Sequence, residues 1–217
     1  MFTPDSKKIL QAIVTIPRAP ETAPIDPQQT EAGVEEMVRL IKGKGSVALC
    51  HFLCTRSNGQ LRAIDYRYDS KYQANSNKYL PQNQGKRGNQ DLDTLIKKHY
   101  SGYEELAFCL MLARAVDPAR ADADQLEGSM KGVGTKDTVL LATVVRAHWD
   151  KDHMNQVCRA YNRFYGKPAK PGEVEGDLYD AISGETSGDF RKVLLRCVEP
   201  SYYDAKGTAK HRKRFGF

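Results

Sequence analysis

The five residues KGKGS at positions 42–46 return, with small changes, as KGVGT at positions 131–135. Each copy is followed by an apolar stretch that ends in an arginine, at Arg56 and at Arg146. Further along, each copy has a pair of tyrosines and then a Ser-Gly step that opens another apolar stretch. Repetition of several features in the same order predicts that one structural unit occurs twice in the chain.

Within each copy the apolar residues recur at three- and four-residue spacings, which is typical of amphipathic helices. No long stretch alternates with a period of two, as a half-buried strand would. We therefore expect an all-α protein with five helices in each unit. In the second unit the helices are expected near residues 119–131, 136–146, 151–165, 174–183 and 187–198.

Some helix ends and loops can be placed as well. Thr135 and Asp152 are expected to cap the helices that follow them, and Gly166 is expected to end the third helix. Polar insertions that contain proline or glycine, at residues 73–90 and 167–173, are expected to be surface loops.

The repeat divides the chain into four parts. Residues 1–27 should hold the closing helix of a preceding repeat, near residues 7–14, and a proline-rich linker. The two units should occupy residues 28–117 and 118–199, and a basic tail should occupy residues 200–217.

The composition is that of an ordinary globular protein, with 40% hydrophobic and 28% charged residues. No stretch of about 18 apolar residues occurs, so no segment is expected to span a bilayer. The first residues lack the apolar run of a secretory signal, and the cytosol is the expected compartment. The formal net charge is +6, and part of it lies in the basic tail. Such a tail could attract anionic lipid or bind nucleic acid without specificity.

The five cysteines are an odd number and include no Cys-x-x-Cys pair. Because most of them lie in apolar helical patterns, buried and reduced thiols are the expected state. A zinc site at Cys50, His51 and Cys54 is the alternative. Structural zinc takes four nitrogen or sulfur ligands, however, and no second pair is visible.

The glycine-containing connection can aim backbone carbonyls at one point, because glycine permits positive φ angles. Calcium accepts about six to eight oxygen ligands, which include carbonyls, carboxylates and water. Three carbonyls cannot balance the charge of the ion, so a carboxylate must come from elsewhere in the unit. Glu185, which precedes the last expected helix, could supply it. Arg56 and Arg146 are expected to be buried and to bond loop carbonyls.

The segment 130–137, together with Tyr161 and the segment 184–190, resembles a repeat of the annexin family. The first unit resembles such a repeat too. Its segment 55–62 is similar to the third annexin repeat, which makes the second unit resemble the fourth. The resemblance covers about residues 28–199, and it is specific because loop and carboxylate recur together.

Annexins are calcium-dependent phospholipid-binding proteins, usually with four repeats in a curved disc. The resemblance therefore implies half of such a disc, with Ca2+ as the bound ion. It also implies a principal calcium site made of three loop carbonyls and one carboxylate, those of Met130, Gly132, Gly134 and Glu185.

A secondary calcium site is implied at the Thr135 carbonyl and the Asp137 carboxylate. The side chains of Lys131 and Val133 are expected to contact the membrane. Head groups of anionic phospholipids such as phosphatidylserine would fill the open positions of the ion, which then bridges two anionic partners. The protein would be cytoplasmic, and peripheral on membranes when calcium rises.

The first unit departs from this pattern. His99 stands where the second unit has Glu185, the loop after Gly45 is shorter, and no acid matches Asp137. Because imidazole is a poor ligand for a hard cation, we expect this unit to keep the fold without calcium.

One competent site should bind weakly and need high calcium, because family members gain strength from several sites on one membrane. Half a disc should also expose apolar surface. We therefore expect self-association or packing against missing repeats, in a natural half-length form or in a truncated product of a longer gene.

Three other functions are alternatives to calcium-dependent membrane binding. The fold could serve as a calcium-independent interaction or scaffold module. The positive charge could bind nucleic acid, although no specific nucleic-acid partner is expected. A catalytic site in the segment 148–153, which holds two histidines and two acids, is the third. This segment falls in a turn before a helix, where polar caps are common, and no P-loop, dinucleotide or nucleophile-elbow motif occurs, so we expect no enzyme.

Overall fold

The computed structural model describes most of the chain. The described residues are 4–72, 91–132, 134–166 and 177–206, with the backbone alone for Pro4 and for residues 200–206. The insertions expected at 73–90 and 167–173 and the side chains of the basic tail lie outside the described residues.

Over these ranges the chain forms eleven α-helices and no strand, so the expectation of an all-α protein is confirmed. In chain order the helices are α1 (Pro4–Thr15), α2 (Pro27–Lys42), α3 (Ser46–Thr55), α4 (Asn58–Lys71), α5 (Leu92–His99), α6 (Gly102–Val116), α7 (Pro118–Met130), α8 (Asp137–His148), α9 (Lys151–Tyr165), α10 (Leu178–Glu185) and α11 (Gly188–Lys206). They fall into two compact units, Met1–Pro118 and Ala119–Phe217.

The first unit has its core between α2 and α3 and the helices that follow. Val34, Met37 and Ile41 of α2 recur at three- and four-residue spacings and are fully buried. They share one core with Leu49 and Leu53 of α3. The spacing that predicts the helices is thus also the spacing that fills the core.

Helix α1 occupies the region where a closing helix is expected, and it packs along α3. Its Ile9 and Ala12, three residues apart, are buried in the core of the first unit. The Cys50 sulfur lies 3.7 Å from the Ile9 carbonyl oxygen. In this structure α1 is therefore part of the first unit.

The second unit consists of α7 to α11 around its own core. Each helix contributes at least one fully buried side chain: Leu126, Leu140, Val157, Ile182 and Leu194.

Two ends of α9 can be compared with the expected ones. Asp150 caps its start, and the Asp150 carboxylate accepts a hydrogen bond from the His153 amide at 2.9 Å. The expected cap, Asp152, lies inside the first turn, where its side chain cannot reach the free amides in the same way. Gly166 follows the last residue of α9, as expected.

Two further helix starts correct the sequence analysis. Thr135 does not cap α8, because its hydroxyl donates to the carbonyl of Glu185 instead. Lys136 holds the cap position without a side-chain bond. Helix α10 begins later than expected, because the Asp177 carboxylate accepts from the Asp180 amide and sets the start there.

The fourth helix of each unit is the clearest structural match between them. Helices α5 and α10 each have eight residues and follow a capping aspartate, Asp91 or Asp177. They end at His99 and at Glu185. Each is followed by a helix that starts at a glycine, with φ of 61° and 60°. The structure thus places His99 and Glu185 at matching positions.

A membrane-crossing helix is not found among the described helices, because none combines the required length with the required apolarity.

Candidate calcium site

The connection between α7 and α8 has left-handed backbone at both of its glycines. Gly132 has a φ of 112° and Gly134 a φ of 81°. Residues with a Cβ rarely adopt these angles, so the conformation favours glycine. A Cβ at either position would meet no atom within 4 Å. Glycine is therefore favoured here by the backbone angles and not by steric crowding. Val133 lies outside the described residues, and its membrane contact stays a prediction.

Two hydrogen bonds hold this loop against its unit. The Lys136 amide donates to the Ser129 carbonyl at 2.8 Å, near the end of α7. The Thr135 hydroxyl donates to the Glu185 carbonyl at 3.1 Å. The second bond joins the loop to the last residue of α10, so Glu185 and the loop are brought together.

The carbonyls at the expected ligand positions are not used by the loop itself. Within the described residues, no backbone amide of a turn or loop donates to the carbonyl of Met130, Gly132 or Gly134. The Lys131 amide closes α7 on the Glu127 carbonyl at 2.8 Å. These three carbonyl oxygens therefore keep lone pairs for water or a cation.

A cavity of about 380 Å³ lies beside the loop. Its lining includes four acids, Glu127, Asp177, Asp180 and Glu185, and Lys131 is the basic residue among the described lining. Glu185 is exposed, and no hydrogen bond or ion pair to another described residue engages its carboxylate. This distribution of charge favours a cation.

Tyr161 connects the wall of this cavity to α7. Its hydroxyl donates to the Glu127 carboxylate at 2.8 Å. Burial, then the hydrogen bond and charge of Glu127, and the charge of Glu185 raise the pKa of Tyr161 above its ordinary value. The phenol therefore stays protonated and fixes Glu127. Sequence reasoning missed Glu127, although it lies three residues before Met130 and hence on the same side of α7.

The proposed secondary pair lies at the far end of the connection. Asp137 is exposed and is the first residue of α8, two residues after Thr135. A carbonyl–carboxylate pair at this position stays a prediction. Within the described part of the chain, no group of three or more His, Cys, Asp or Glu side chains could hold a metal ion.

The corresponding connection of the first unit differs in length and backbone. Helix α2 ends at Lys42 and α3 begins at Ser46, which leaves three residues between them. The positive φ falls on Lys44, at 53°, whereas Gly43 and Gly45 have negative φ. The two loops are therefore similar in sequence and different in conformation.

The first unit also offers fewer unused oxygens. The carbonyls of Ile41 and Gly45 hold the positions that two expected ligands hold in the second unit, and both accept backbone amides, at 3.1 and 2.8 Å. His99 stands in place of Glu185, and its Nδ1 lies 2.9 Å from the Leu95 carbonyl oxygen.

The two arginines do not bond loop carbonyls, and that expectation is wrong. The Arg146 side chain is 46% exposed and donates to Asp122 at 2.6 Å and to Gln125 at 3.2 Å. Arg56 donates to the Phe52 carbonyl at 2.9 Å and stacks on that ring at 3.4 Å. Both arginines lie at the opposite end of their helix from the loop, so they cannot serve as its base.

The histidine-rich segment 148–153 has structural partners. His153 Nε2 lies 2.7 Å from the carboxylate of Asp122, which is fully buried and also accepts from Arg146. His148 Nδ1 lies 3.0 Å from the Cys197 carbonyl oxygen. The two histidines therefore bond to different helices. Asp122 was not singled out by the sequence, since only the fold brings α7, α8 and α9 together.

The zinc alternative has no support in the geometry. Cys50 and Cys54 are buried with their sulfur atoms 3.8 Å apart, whereas His51 is exposed. Burial raises the pKa of the Cys50 thiol to about 12, which disfavours the thiolate that zinc requires. All five cysteines are free in the structure; Cys50, Cys54 and Cys158 are buried, and Cys109 and Cys197 are partly buried.

Comparison with known proteins points to one family. The family model described as Annexin matches residues 121–196, which lie in the second unit. Mouse annexin A1 is 33% identical over 157 residues, which cover 72% of this chain and 36% of that protein. Annexin C1 of Cryptococcus neoformans var. grubii is 26% identical over 186 residues, or 82% and 34% of the two chains. The chain thus spans about a third of the length of these curated relatives.

Solved structures give the same result for the fold. The structure of annexin III matches with a TM-score of 0.65 at 20% identity, over 91% of this chain and 53% of that one. The chain belongs to the annexin family.

Proposed function

We propose that this chain binds anionic phospholipid membranes in a calcium-dependent manner, through the loop 130–135 and Glu185. Calcium-dependent phospholipid binding is a general property of annexins. The observation that carries the proposal is the 3.1 Å hydrogen bond from Thr135 to the Glu185 carbonyl. This bond ties the end of α10, which carries the Glu185 carboxylate, to the loop that carries the three proposed carbonyl ligands.

Calcium would be bound by the carbonyls of Met130, Gly132 and Gly134 and by the carboxylate of Glu185. Since Ca2+ takes about six to eight oxygens, water and lipid phosphate would complete its shell. Without the ion, the acids that line the cavity repel an anionic surface. With the ion bound, its open coordination positions can take lipid phosphate oxygens, and this bridge is the source of the calcium dependence.

The remaining site residues have supporting roles. The Thr135 carbonyl and the Asp137 carboxylate would form the secondary site. Lys131, whose side chain is 78% exposed, would reach lipid head groups together with Val133. The first unit is proposed to have lost calcium binding, so that a single principal site gives weak binding at high calcium.

The proposed location follows from this mechanism. The protein would be cytoplasmic, and its calcium site would bring it onto membranes rich in phosphatidylserine when calcium rises.

Self-association is part of the proposal. It is suggested by a difference between the corresponding helices α3 and α8 in how far their surfaces are covered. Helix α1 packs along α3 in the first unit. Matching positions of α3 and α8 lie at the same distance before Arg56 and Arg146, which end the two apolar stretches. Leu49 and Phe52 of α3 are buried, whereas Val139 and Ala142 at the matching positions of α8 are exposed.

The occupant we propose for α8 is α1 of a second copy. One side of α1 already packs on a helix of the same type as α8. Its opposite side leaves Leu10, Ile13 and Val14 exposed, at 49, 40 and 81%. Both surfaces are apolar and helical, so each could bury the other.

Glu185→Gln tests the calcium site. The change keeps the size of an exposed side chain and removes its charge, so the fold should be unaffected and the calcium needed for vesicle binding should rise by about tenfold or more. Co-sedimentation with phosphatidylserine vesicles over a calcium series measures it. Glu36→Gln, an exposed glutamate on α2, is the matched control and should behave like wild type.

Two outcomes would contradict the proposal. If Glu185→Gln keeps the wild-type calcium response, the ligand assignment is wrong. If the wild-type protein pellets equally with and without calcium, and calorimetry detects no calcium binding at millimolar concentration, the calcium-independent scaffold is the better function.

A further inference from the structure

The edge of the first unit that matches the calcium edge of the second is basic. Lys42 and Lys44 lie at the connection between α2 and α3, and Lys97 and Lys98 lie at the end of α5, beside His99. We call the four lysines the basic edge. In the second unit the matching end of α10 carries the carboxylate of Glu185.

Two hydrogen bonds join the two halves of the basic edge. The Ser46 hydroxyl donates to the Glu104 carboxylate at 2.7 Å, which ties the start of α3 to the start of α6. The Tyr100 hydroxyl donates to the Leu40 carbonyl at 3.3 Å, which ties the end of α5 to the end of α2. The lysines of both segments therefore belong to one surface.

Most of this positive charge is not neutralised locally. Lys42, Lys44 and Lys98 are exposed and form no ion pair with another described residue. Lys97 is paired with Asp93 at 2.8 Å. Of the nearby acids, Glu104 is partly buried in its bond to Ser46, and Glu105 is partly buried as well.

Apolar side chains accompany the lysines. Tyr103 and Leu106, in the first two turns of α6, are 66 and 62% exposed. Lysines beside an exposed aromatic and an exposed aliphatic side chain suit the interface of a membrane, where charges meet phosphate and apolar groups enter the head-group region. Nucleic acid could bind the lysines through its phosphates but would make no use of the exposed Leu106. A lipid surface accounts for both the lysines and Leu106.

We propose that the first unit binds anionic phospholipid directly, without calcium, through Lys42, Lys44 and Lys98. Lysine ammonium groups there contact lipid phosphate without an intervening ion. The inference rests on the proposed function for the choice of a membrane as partner, and it adds a second site of a different kind. His99 stands where the second unit has the proposed calcium ligand Glu185. In the first unit the lysine side chains would supply the positive charge that a bound calcium ion would supply in the second.

The test is vesicle flotation of the full chain in excess EGTA. Wild type should float with phosphatidylserine-containing vesicles and not with phosphatidylcholine alone. The triple variant Lys42→Gln/Lys44→Gln/Lys98→Gln should bind on the order of tenfold more weakly or worse, since each lysine near an anionic surface contributes. The matched control Lys7→Gln/Lys8→Gln/Arg159→Gln removes three exposed positive charges from α1 and α9 and should lose less than twofold.

Several results would overturn the inference. These are no flotation of wild type in EGTA, equal flotation with phosphatidylcholine, equal loss in the matched control, or wild-type binding by the triple variant. It is also wrong if the triple variant loses binding to duplex DNA while keeping its binding to vesicles. Circular dichroism of each variant shows whether the fold is kept.

The same assay separates this inference from the calcium proposal. Glu185→Gln should leave flotation in EGTA unchanged and remove the increment that calcium adds. The lysine variant should keep that calcium increment. Failure of one proposal therefore leaves a signature different from failure of the other.

Discussion

The calcium hypothesis depends on the positive φ angles of Gly132 and Gly134, which shape the loop that carries the proposed carbonyl ligands. Two glycines in a short connection can be found in the sequence, but the sequence does not say which residue takes the positive φ. In the first unit Lys44 takes it, although two glycines flank it. The two connections differ in length. In the three-residue connection backbone amides bond to the carbonyls of Ile41 and Gly45, whereas the described residues of the six-residue connection leave the carbonyls of Met130, Gly132 and Gly134 unused.

Gly132→Ala should weaken calcium binding while the fold is kept. The new Cβ meets no neighbouring atom, but a φ of 112° is strained for alanine by about 1–2 kcal/mol, so the loop should shift. Calorimetric titration with calcium measures the loss. Gly128→Ala, in open space within α7, is the matched control and should be neutral or slightly stabilising. Equal affinities for the two variants would contradict the role of the loop.

His99→Glu should fail to create a calcium site in the first unit. It restores the carboxylate, but the carbonyls of Ile41 and Gly45 remain engaged by backbone amides. In a Glu185→Gln background, calorimetry should detect no new calcium binding. Recovery of the wild-type calcium affinity would contradict this prediction, because it would show that a carboxylate at position 99 is enough for calcium binding by the first unit.

At the scale of helices, periodicity located the interiors and side-chain chemistry located the ends. The predicted range for the third helix of the second unit, 151–165, agrees with α9. The predicted cap was wrong, since Asp150 and Asp152 are both plausible from sequence. Only the structure shows that the carboxylate of Asp150 meets the His153 amide.

Asp150→Ala should destabilise the protein by about 1 kcal/mol, since it leaves a helix amide without a partner. Asp152→Ala should change stability by less than about 0.5 kcal/mol, because Asp152 is exposed and is not the cap. Urea unfolding followed by circular dichroism measures both. The cap assignment is wrong if the order of the two effects is reversed.

At the scale of the whole molecule, the repeat predicts two similar units, and the structure shows how they differ. The first unit holds α1 on α3, and the second leaves matching positions of α8 exposed. Similar sequences therefore leave dissimilar surfaces. The exposed surface of α8 is therefore the surface that a second copy of the chain could cover.

Val139→Glu should shift the protein toward monomer. Val139 is 41% exposed on α8, so a charge there is tolerated in the monomer but opposes burial in an interface. Sedimentation velocity over a concentration series measures the shift. Tyr66→Glu, at a 74% exposed position on α4, is the control and should leave association unchanged. A wild-type protein that is monomeric at all concentrations would rule out the proposed contact.

The sequence by itself determined the helical class and the repeat, and it singled out the glycine loop and Glu185 as candidates, because helical periodicity and glycine chemistry are local properties. Only the tertiary structure decided which carbonyls the loops leave unused, where Arg146 and His153 bond, and which lysines share an edge with His99. These depend on how helices distant in the chain pack together. Gly132 and Glu185 illustrate the division: their residue types were informative alone, and their proximity came from the fold.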